Sequence, residues 1–367
     1  MLVSLSDRSY QIEIGSATGD GSLGRAGVIL SSLPQTVTHC VVLTDDNVQR
    51  LGYARTVAES LAQSGIDAAI LIVAAGEQSK TIETANSLWT ALVDEDVDRQ
   101  SVLVAVGGGV IGDLGGFVAS TFLRGIRFFQ VPTTLLAQVD SSVGGKVGIN
   151  LPSAKNSVGA FYQPVAVLID TSTLATLDDD QFACGLGEVA KYAVSLDESL
   201  WRLLETDAAK VLAREPSTLG TIVNACCRIK ADIVSRDERE TTGLRALLNF
   251  GHTFAHAFET HSEYKVLHGQ AVAVGSVLAT RLAVRLGLVD NAMLERVIEL
   301  HKSLRLPVKP SDLPQLPKWD AGTIIKLMSR DKKVENGRLK FVLPTSAGKC
   351  ELTEVGDIDE VKRILEE

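Results

Sequence analysis

Apolar and polar positions change their spacing partway along this chain of 367 residues. In the first third, three nearly continuous apolar runs each end in a polar or glycine-rich turn. Cys40-Val-Val-Leu-Thr44 runs into Asp45-Asp-Asn47, Ala69-Ile-Leu-Ile-Val73 into Gly76-Glu77-Gln-Ser-Lys80, and Val102-Leu-Val-Ala-Val106 into Gly107-Gly-Gly109. Strands that are apolar without alternation are those covered on both faces. With a helical pattern such as 84–93 between them, they predict a parallel sheet with crossover helices. Two further short strands are expected at 128–131 and 165–169. From about residue 181 the spacing becomes helical, through 183–194, 200–212, 218–234, the histidine-bearing segment after 250, 271–286 and 292–300. Pro307, Pro310, Pro314 and Pro317 mark a loop before a final helix and strand. The expectation is an α/β nucleotide-binding domain over residues 1–175, its sheet mostly parallel, followed by an all-α domain over 176–367 that binds metal and substrate.

Composition narrows the function. With 45% hydrophobic and 22% charged residues the chain reads as a soluble enzyme. The apolar run 68–75 is too short to span a bilayer, and residues 1–15 show no basic start followed by an apolar stretch. A formal net charge of −9 argues against a nucleic-acid partner, which needs a basic face. Five scattered cysteines, Cys40, Cys184, Cys226, Cys227 and Cys350, fit reduced thiols in the cytoplasm. Basic residues that matter are therefore expected in a pocket.

Three segments carry candidate chemistry. Gly107-Gly-Gly109-Val-Ile-Gly112 follows a strand and opens a helix, where backbone N–H groups and a helix N-terminus can hold a pyrophosphate. It departs from the usual dinucleotide fingerprint in following the third strand rather than the first. Asp45, Asn47, Glu77 and Lys80 stand at the ends of neighbouring strands, where ligands of open parallel sheets bind. The stretch from Arg124 through Thr133, Thr134, Asp140 and Lys146 to Lys155 and Asn156 is dense in small, polar and basic residues, as an anion pocket requires. Counting Lys191, Lys230 and Arg245, there are more cations than one phosphate needs, which points to a small molecule with a second anionic group.

The third segment holds His252, His256 and His268, with Glu188 and Lys191 upstream. His252 and His256 are four apart and share one helical face, the zincin geometry, but Thr253 stands where a metalloprotease has its general base. Spacing alone nominates His252 and His256 as ligands with His268 third, and Glu188 as a carboxylate ligand for Zn²⁺ or a similar ion.

Taken together, GGGVIGDLGGF, RGIRFFQVPTTLLAQVDSSVGGKVGIN, KNSVGAFYQP, GLGEVAKYA, RALLNFGHTFAH and LHGQAV closely resemble the dehydroquinate synthase family, in order and over essentially the whole chain. The resemblance implies an NAD-binding α/β domain, a helical metal domain and a homodimer. It implies conversion of 3-deoxy-arabino-heptulosonate 7-phosphate to 3-dehydroquinate and phosphate, the second step of the shikimate route, with NAD and Zn²⁺ or Co²⁺ as cofactors. The implied metal ligands are Glu188, His252 and His268, and His256 moves to a proton and phosphate network. Arg245 and Lys230 are implied at the substrate carboxylate. Lys146, Asn156, Asn249, His256 and one of Lys332 and Lys333 surround the phosphate, with Arg124 reaching it from a partner subunit. Asp140 and Lys191 bind substrate hydroxyls. The implied NAD set is Asp45, Asn47, Glu77, Lys80, Gly108, Gly109, Val110, Asp113, Thr133, Thr134, Lys146, Lys155, Thr176, Leu177 and Gln181. Two positions depart from the family pattern: Gln270, where Glu is usual, and Ala255, where Gly is frequent.

Overall fold

The computed structural model describes residues 1–15, 22–152, 154–329, 334–335 and 338–367, with side chains left out at 334, 335 and 338. Contacts divide the chain into two compact units, Met1–Leu177 with Leu219–Arg239, and Asp178–Thr218 with Glu240–Glu367.

Among the described residues the first unit contains nine strands: β1 (Leu2–Val3), β2 (Tyr10–Gly15), β3 (His39–Asp45), β4 (Asp67–Val73), β5 (Val102–Gly107), β6 (Arg127–Pro132), β7 (Lys146–Leu151), β8 (Ala154–Phe161) and β9 (Ala166–Asp170). Seven form one sheet in the order β1-β2-β9-β6-β5-β3-β4, parallel throughout except for the short β1. The unbroken apolar runs are explained by burial on both faces. Val41 and Leu43 of β3, with Leu103 and Ala105 of β5, pack on Leu88, Leu114 and Phe117. Cys40, Val42, Val102, Val104 and Val106 face the other way, against Leu30, Val57 and Leu61. The strands expected at 128–131 and 165–169 are β6 and β9.

Lys146, Lys155 and Asn156, expected in an anion pocket with no strand assigned to them, lie in the antiparallel hairpin β7–β8. Val147 and Ile149 anchor it to the core beside the helix Gly109–Thr121. The segment Leu219–Arg239 is a second difference, since the linear division at 175/176 assigns it to the other domain. Its side chains explain the placement: Cys227 Sγ donates to Gln138 O at 3.2 Å, and Lys230 Nζ donates to Asp140 O at 2.8 Å.

The second unit is mostly helical, built from Asp179–Leu196, Glu198–Leu212, His252–His261, His268–Arg285, Asn291–Ser303, Ala321–Met328 and Ile358–Glu366. It also carries a three-stranded antiparallel sheet, β10 (Val334–Glu335), β11 (Arg338–Ser346) and β12 (Lys349–Val355), which an all-α reading does not include. Helix His268–Arg285 is buried along most of its length and packs against both Asp179–Leu196 and His252–His261.

Candidate metal and nucleotide sites

Five parallel strands of the first unit, β3, β4, β5, β6 and β9, deliver candidate residues at their C-terminal ends. Asp45 closes β3 and caps the next helix, accepting from Val48 N at 2.9 Å, with Asn47 in that helix. Glu77 and Lys80 follow β4, Thr133 and Thr134 follow β6, and Thr176 and Leu177 end the turn after β9. After β5, Gly108 precedes the helix that begins at Gly109. A Cβ on Gly108 would lie 3.0 Å from Thr134 Cγ2, so the loop passes close to the residues that follow β6.

Behind this loop a polar network is already assembled. Lys80, 2% exposed, pairs with Asp113 at 2.5 Å and also bonds the Asn156 side chain. Burial pushes the Asp113 carboxyl up, against the lowering pull of Lys80. Asn150 Nδ2 donates to Glu77 Oε1 at 2.8 Å, Asn156 N donates to Asn150 Oδ1 at 2.8 Å, and Lys155 lies 3.9 Å from Glu77. The strand-end acids and the hairpin are thereby joined, and Asn156, expected at a phosphate, here stands with the nucleotide candidates. Asn150 was missed in the sequence because its role depends on the hairpin.

Lys230, 6% exposed, also pairs with Asp140 Oδ1 at 2.8 Å. Asp140 sits in a five-residue π-helix, Ala137–Ser141, a rare form frequent at functional sites. Lys146 is exposed at the start of β7. Arg124 is exposed beyond the C-terminus of helix Gly109–Thr121, with φ of 66°. That helix has 13 residues, which puts Arg124 about 20 Å along its axis from the glycine loop.

In the second unit, ligand atoms of Glu188, His252 and His268 all lie within 4.8 Å of one another. Each comes from a different helix: Asp179–Leu196, His252–His261 and His268–Arg285. This is the ligand set implied by the resemblance, not the one nominated by spacing. His256 stays beside it, its ring centroid 5.3 Å from that of His252. The nearby His261 is turned to Lys318 O at 3.1 Å.

The Glu188 side chain is 0% exposed, with Lys191 Nζ against Oε2. Toward Oε1 point His252 Nε2 at 3.6 Å and His268 Nε2 at 3.3 Å. Burial drives the His252 pKa well below its ordinary value. At His268 burial pulls the same way, but the carboxylates of Glu259 and Glu188 outweigh it and hold the pKa up at about 10. Two imidazoles and a carboxylate thus converge on one point, an arrangement that could hold a metal ion. The donor set is borderline-soft nitrogen with hard oxygen, which suits Zn²⁺ or Co²⁺ and leaves positions for substrate.

Of the remaining candidates, Arg245 is 2% exposed and its Nε lies 3.8 Å from Glu240 Oε1. Asn249 ends the short 3-10 helix that Arg245 begins, and Gln181 lies in the first turn of helix Asp179–Leu196. Lys332 and Lys333 fall outside the described residues.

A parallel-sheet unit with a glycine-rich strand-to-helix turn, joined in one chain to a helical unit with a cluster that could hold a metal ion, fits a nucleotide- and metal-dependent enzyme. Residues 70–184 match the family described as 3-dehydroquinate synthase N-terminal, and residues 185–334 match 3-dehydroquinate synthase C-terminal. The chain belongs to the 3-dehydroquinate synthase family. It is 43% identical over 364 residues to the 3-dehydroquinate synthase of Rhodopirellula baltica, covering 99% of this chain and 95% of that one. To the enzyme of Desulforamulus reducens it is 46% identical over 352 residues, covering 95% and 94%. A solved 2-deoxy-scyllo-inosose synthase, complexed with carbaglucose-6-phosphate, NAD⁺ and Co²⁺, superposes with a TM-score of 0.86 at 27% identity, covering 100% and 98%. The 2-epi-5-epi-valiolone synthase of Streptomyces hygroscopicus, with NAD⁺ and Zn²⁺ bound, gives 0.86 at 27% identity, covering 99% and 97%.

Proposed function

We propose that this chain converts 3-deoxy-arabino-heptulosonate 7-phosphate to 3-dehydroquinate and phosphate. It is a carbon–oxygen lyase that depends on NAD and a divalent metal. The observation that carries the reading is Arg245, a guanidinium 2% exposed in the same unit as the metal triad. A buried guanidinium matches a carboxylate through paired hydrogen bonds. A metal-dependent polyol dehydrogenase has no use for such a group beside so many further cations.

When bound, NAD supplies transient oxidation of a substrate hydroxyl and the divalent ion, Zn²⁺ or Co²⁺, polarises that hydroxyl. Oxidation makes the neighbouring C–H acidic enough for phosphate to leave. NAD would take up and give back one hydride within each cycle, so that phosphate loss, ring opening and intramolecular aldol closure would leave no net redox change.

In this proposal Glu188, His252 and His268 hold the ion, and Lys191 and Asp140 bind substrate hydroxyls. Arg245 and Lys230 grip the carboxylate. Lys146, Asn156, Asn249, His256 and one of Lys332 and Lys333 bind the phosphate. Asp45, Asn47, Glu77, Lys80, Gly108, Gly109, Val110, Asp113, Thr133, Thr134, Lys146, Lys155, Thr176, Leu177 and Gln181 form the NAD set. Arg124, at the far end of its helix from the strand-end residues, serves a second copy, so the enzyme acts as a homodimer. No described helix is long and apolar enough to cross a membrane, and the proposed setting is the cytoplasm.

Incubation with the heptulosonate phosphate, NAD⁺ far below substrate, and Zn²⁺ or Co²⁺ tests the reading. Many phosphates released per NAD⁺, with no accumulating NADH absorbance, is the expected result. Stoichiometric NADH would make it a dehydrogenase, and turnover only of a carboxylate-free sugar phosphate would make it another cyclase.

A further inference from the structure

We propose that Glu259 is the positioning residue that makes His268 a metal ligand, an inference that rests on reading the Glu188–His252–His268 triad as a metal centre. Glu259 is 3% exposed, and its Oε2 lies 3.1 Å from His268 Nδ1. A carboxylate is an acceptor, so Nδ1 carries a proton and donates it, which leaves Nε2, 3.3 Å from Glu188 Oε1, as the ring nitrogen that a metal ion can take. His252 is held in the same sense, its Nδ1 3.1 Å from Phe250 O and its Nε2 3.6 Å from that same Glu188 oxygen. Both imidazoles thus offer Nε2 to one point and anchor Nδ1 elsewhere. A carbonyl anchors one of them and a full negative charge the other.

The sequence arranges this economically. Glu259 stands seven residues after His252 on helix His252–His261, two turns on and on the same face. One helix therefore supplies a ligand from its first turn and the orienting carboxylate for a ligand on another helix. The backbone of Glu259 is fixed at the helix end, where its carbonyl oxygen accepts from Tyr264 N at 2.7 Å and from Ser262 Oγ at 3.0 Å. Burying a carboxylate is costly unless it is hydrogen-bonded and paired, and His268 supplies both. Gln270, the departure from the family pattern, is not needed for this hydrogen bond, because Glu259 already makes it.

The test uses metal-stripped full-length protein, wild type and variants, with Zn²⁺ affinity read by competition against a chromophoric chelator. Glu259→Gln, which keeps an acceptor oxygen without the charge, is expected to bind Zn²⁺ about 10-fold more weakly, and Glu259→Met about 100-fold. The visible absorption bands of bound Co²⁺ are expected to shift in Glu259→Met, which a purely structural role would not cause. Glu259→Gln is close to isosteric, so it keeps the test readable should the Met variant unfold. Zn²⁺ affinity and Co²⁺ bands equal to wild type in a folded Glu259 variant would overturn the proposal. If wild type bound Zn²⁺ no better than Glu188→Ala, the metal reading itself would fall, and this inference with it.

Discussion

A Cβ built on Gly187 would lie 2.0 Å from the carbonyl oxygen of Gly269, and one built on Gly269 would lie 1.7 Å from that of Cys184. Gly187 precedes Glu188 and Gly269 follows His268, so two helices touch backbone to backbone where their ligands converge. The third ligand has a matching device: a Cβ on Gly275 would lie 2.2 Å from the carbonyl oxygen of Gly251, which precedes His252. Gly187→Ala and Gly269→Ala should each push the helices apart, costing at least ~1–3 kcal/mol and weakening Zn²⁺ binding. Thermal unfolding and a Zn²⁺ titration check this; an alanine variant with wild-type values in both would refute it.

Replacing any one of Glu188, His252 or His268 by Ala should abolish stable metal binding, since a three-ligand site with open positions tolerates no deletion. His256→Ala should keep the metal and lose turnover. Metal content of purified variants decides between the two ligand sets, and an empty His256→Ala beside a fully loaded His268→Ala would reverse the assignment.

Arg245→Ala should lower kcat/KM for the heptulosonate phosphate by an amount equivalent to ~2–5 kcal/mol, the usual loss for a buried charge-assisted pair. Arg245→Lys should recover only part, because an ammonium cannot form the two parallel bonds. Steady-state kinetics alongside Zn²⁺ content and NAD⁺ affinity make the check, with the latter two expected near wild type.

Stability should fall as pH drops from about 6.5 to 4 through His301. This side chain is 0% exposed, its Nδ1 lies 2.8 Å from Val297 O, and burial pushes its pKa down to about 4. The unfolded chain takes up the proton first, so within that window acidification favours unfolding. The full effect approaches ~3 kcal/mol once pH is below 4. A His301→Leu variant should show a flatter dependence of Tm on pH across the window, and an unchanged slope would remove His301 as the cause.

The sequence made the sheet legible because strands buried on both faces leave a continuous apolar trace, and their ends carry the polar residues. It concealed the β7–β8 hairpin, whose strands interleave lysine, asparagine and glycine with single apolar residues, so that Val147 and Ile149 gave too few apolar positions to declare a period. The candidate metal centre was legible only in part. Spacing along one helix pairs His252 with His256, but the convergence of Glu188, His252 and His268 is a property of three packed helices, which no single periodicity encodes. Glu259 left no trace for the same reason: it reads as one more acid on a helix until His268 is placed against it.

The assignment of Leu219–Arg239 to the first unit means that the chain leaves that unit after Leu177, returns at Leu219 and departs again after Arg239. A gene cut after codon 177 therefore encodes neither unit whole. The leading fragment lacks Lys230, the partner of Asp140, and the trailing fragment carries a helix whose companions were left behind. A single recombination point cannot exchange one unit for a relative's, since the swap must move two separated stretches of coding sequence together.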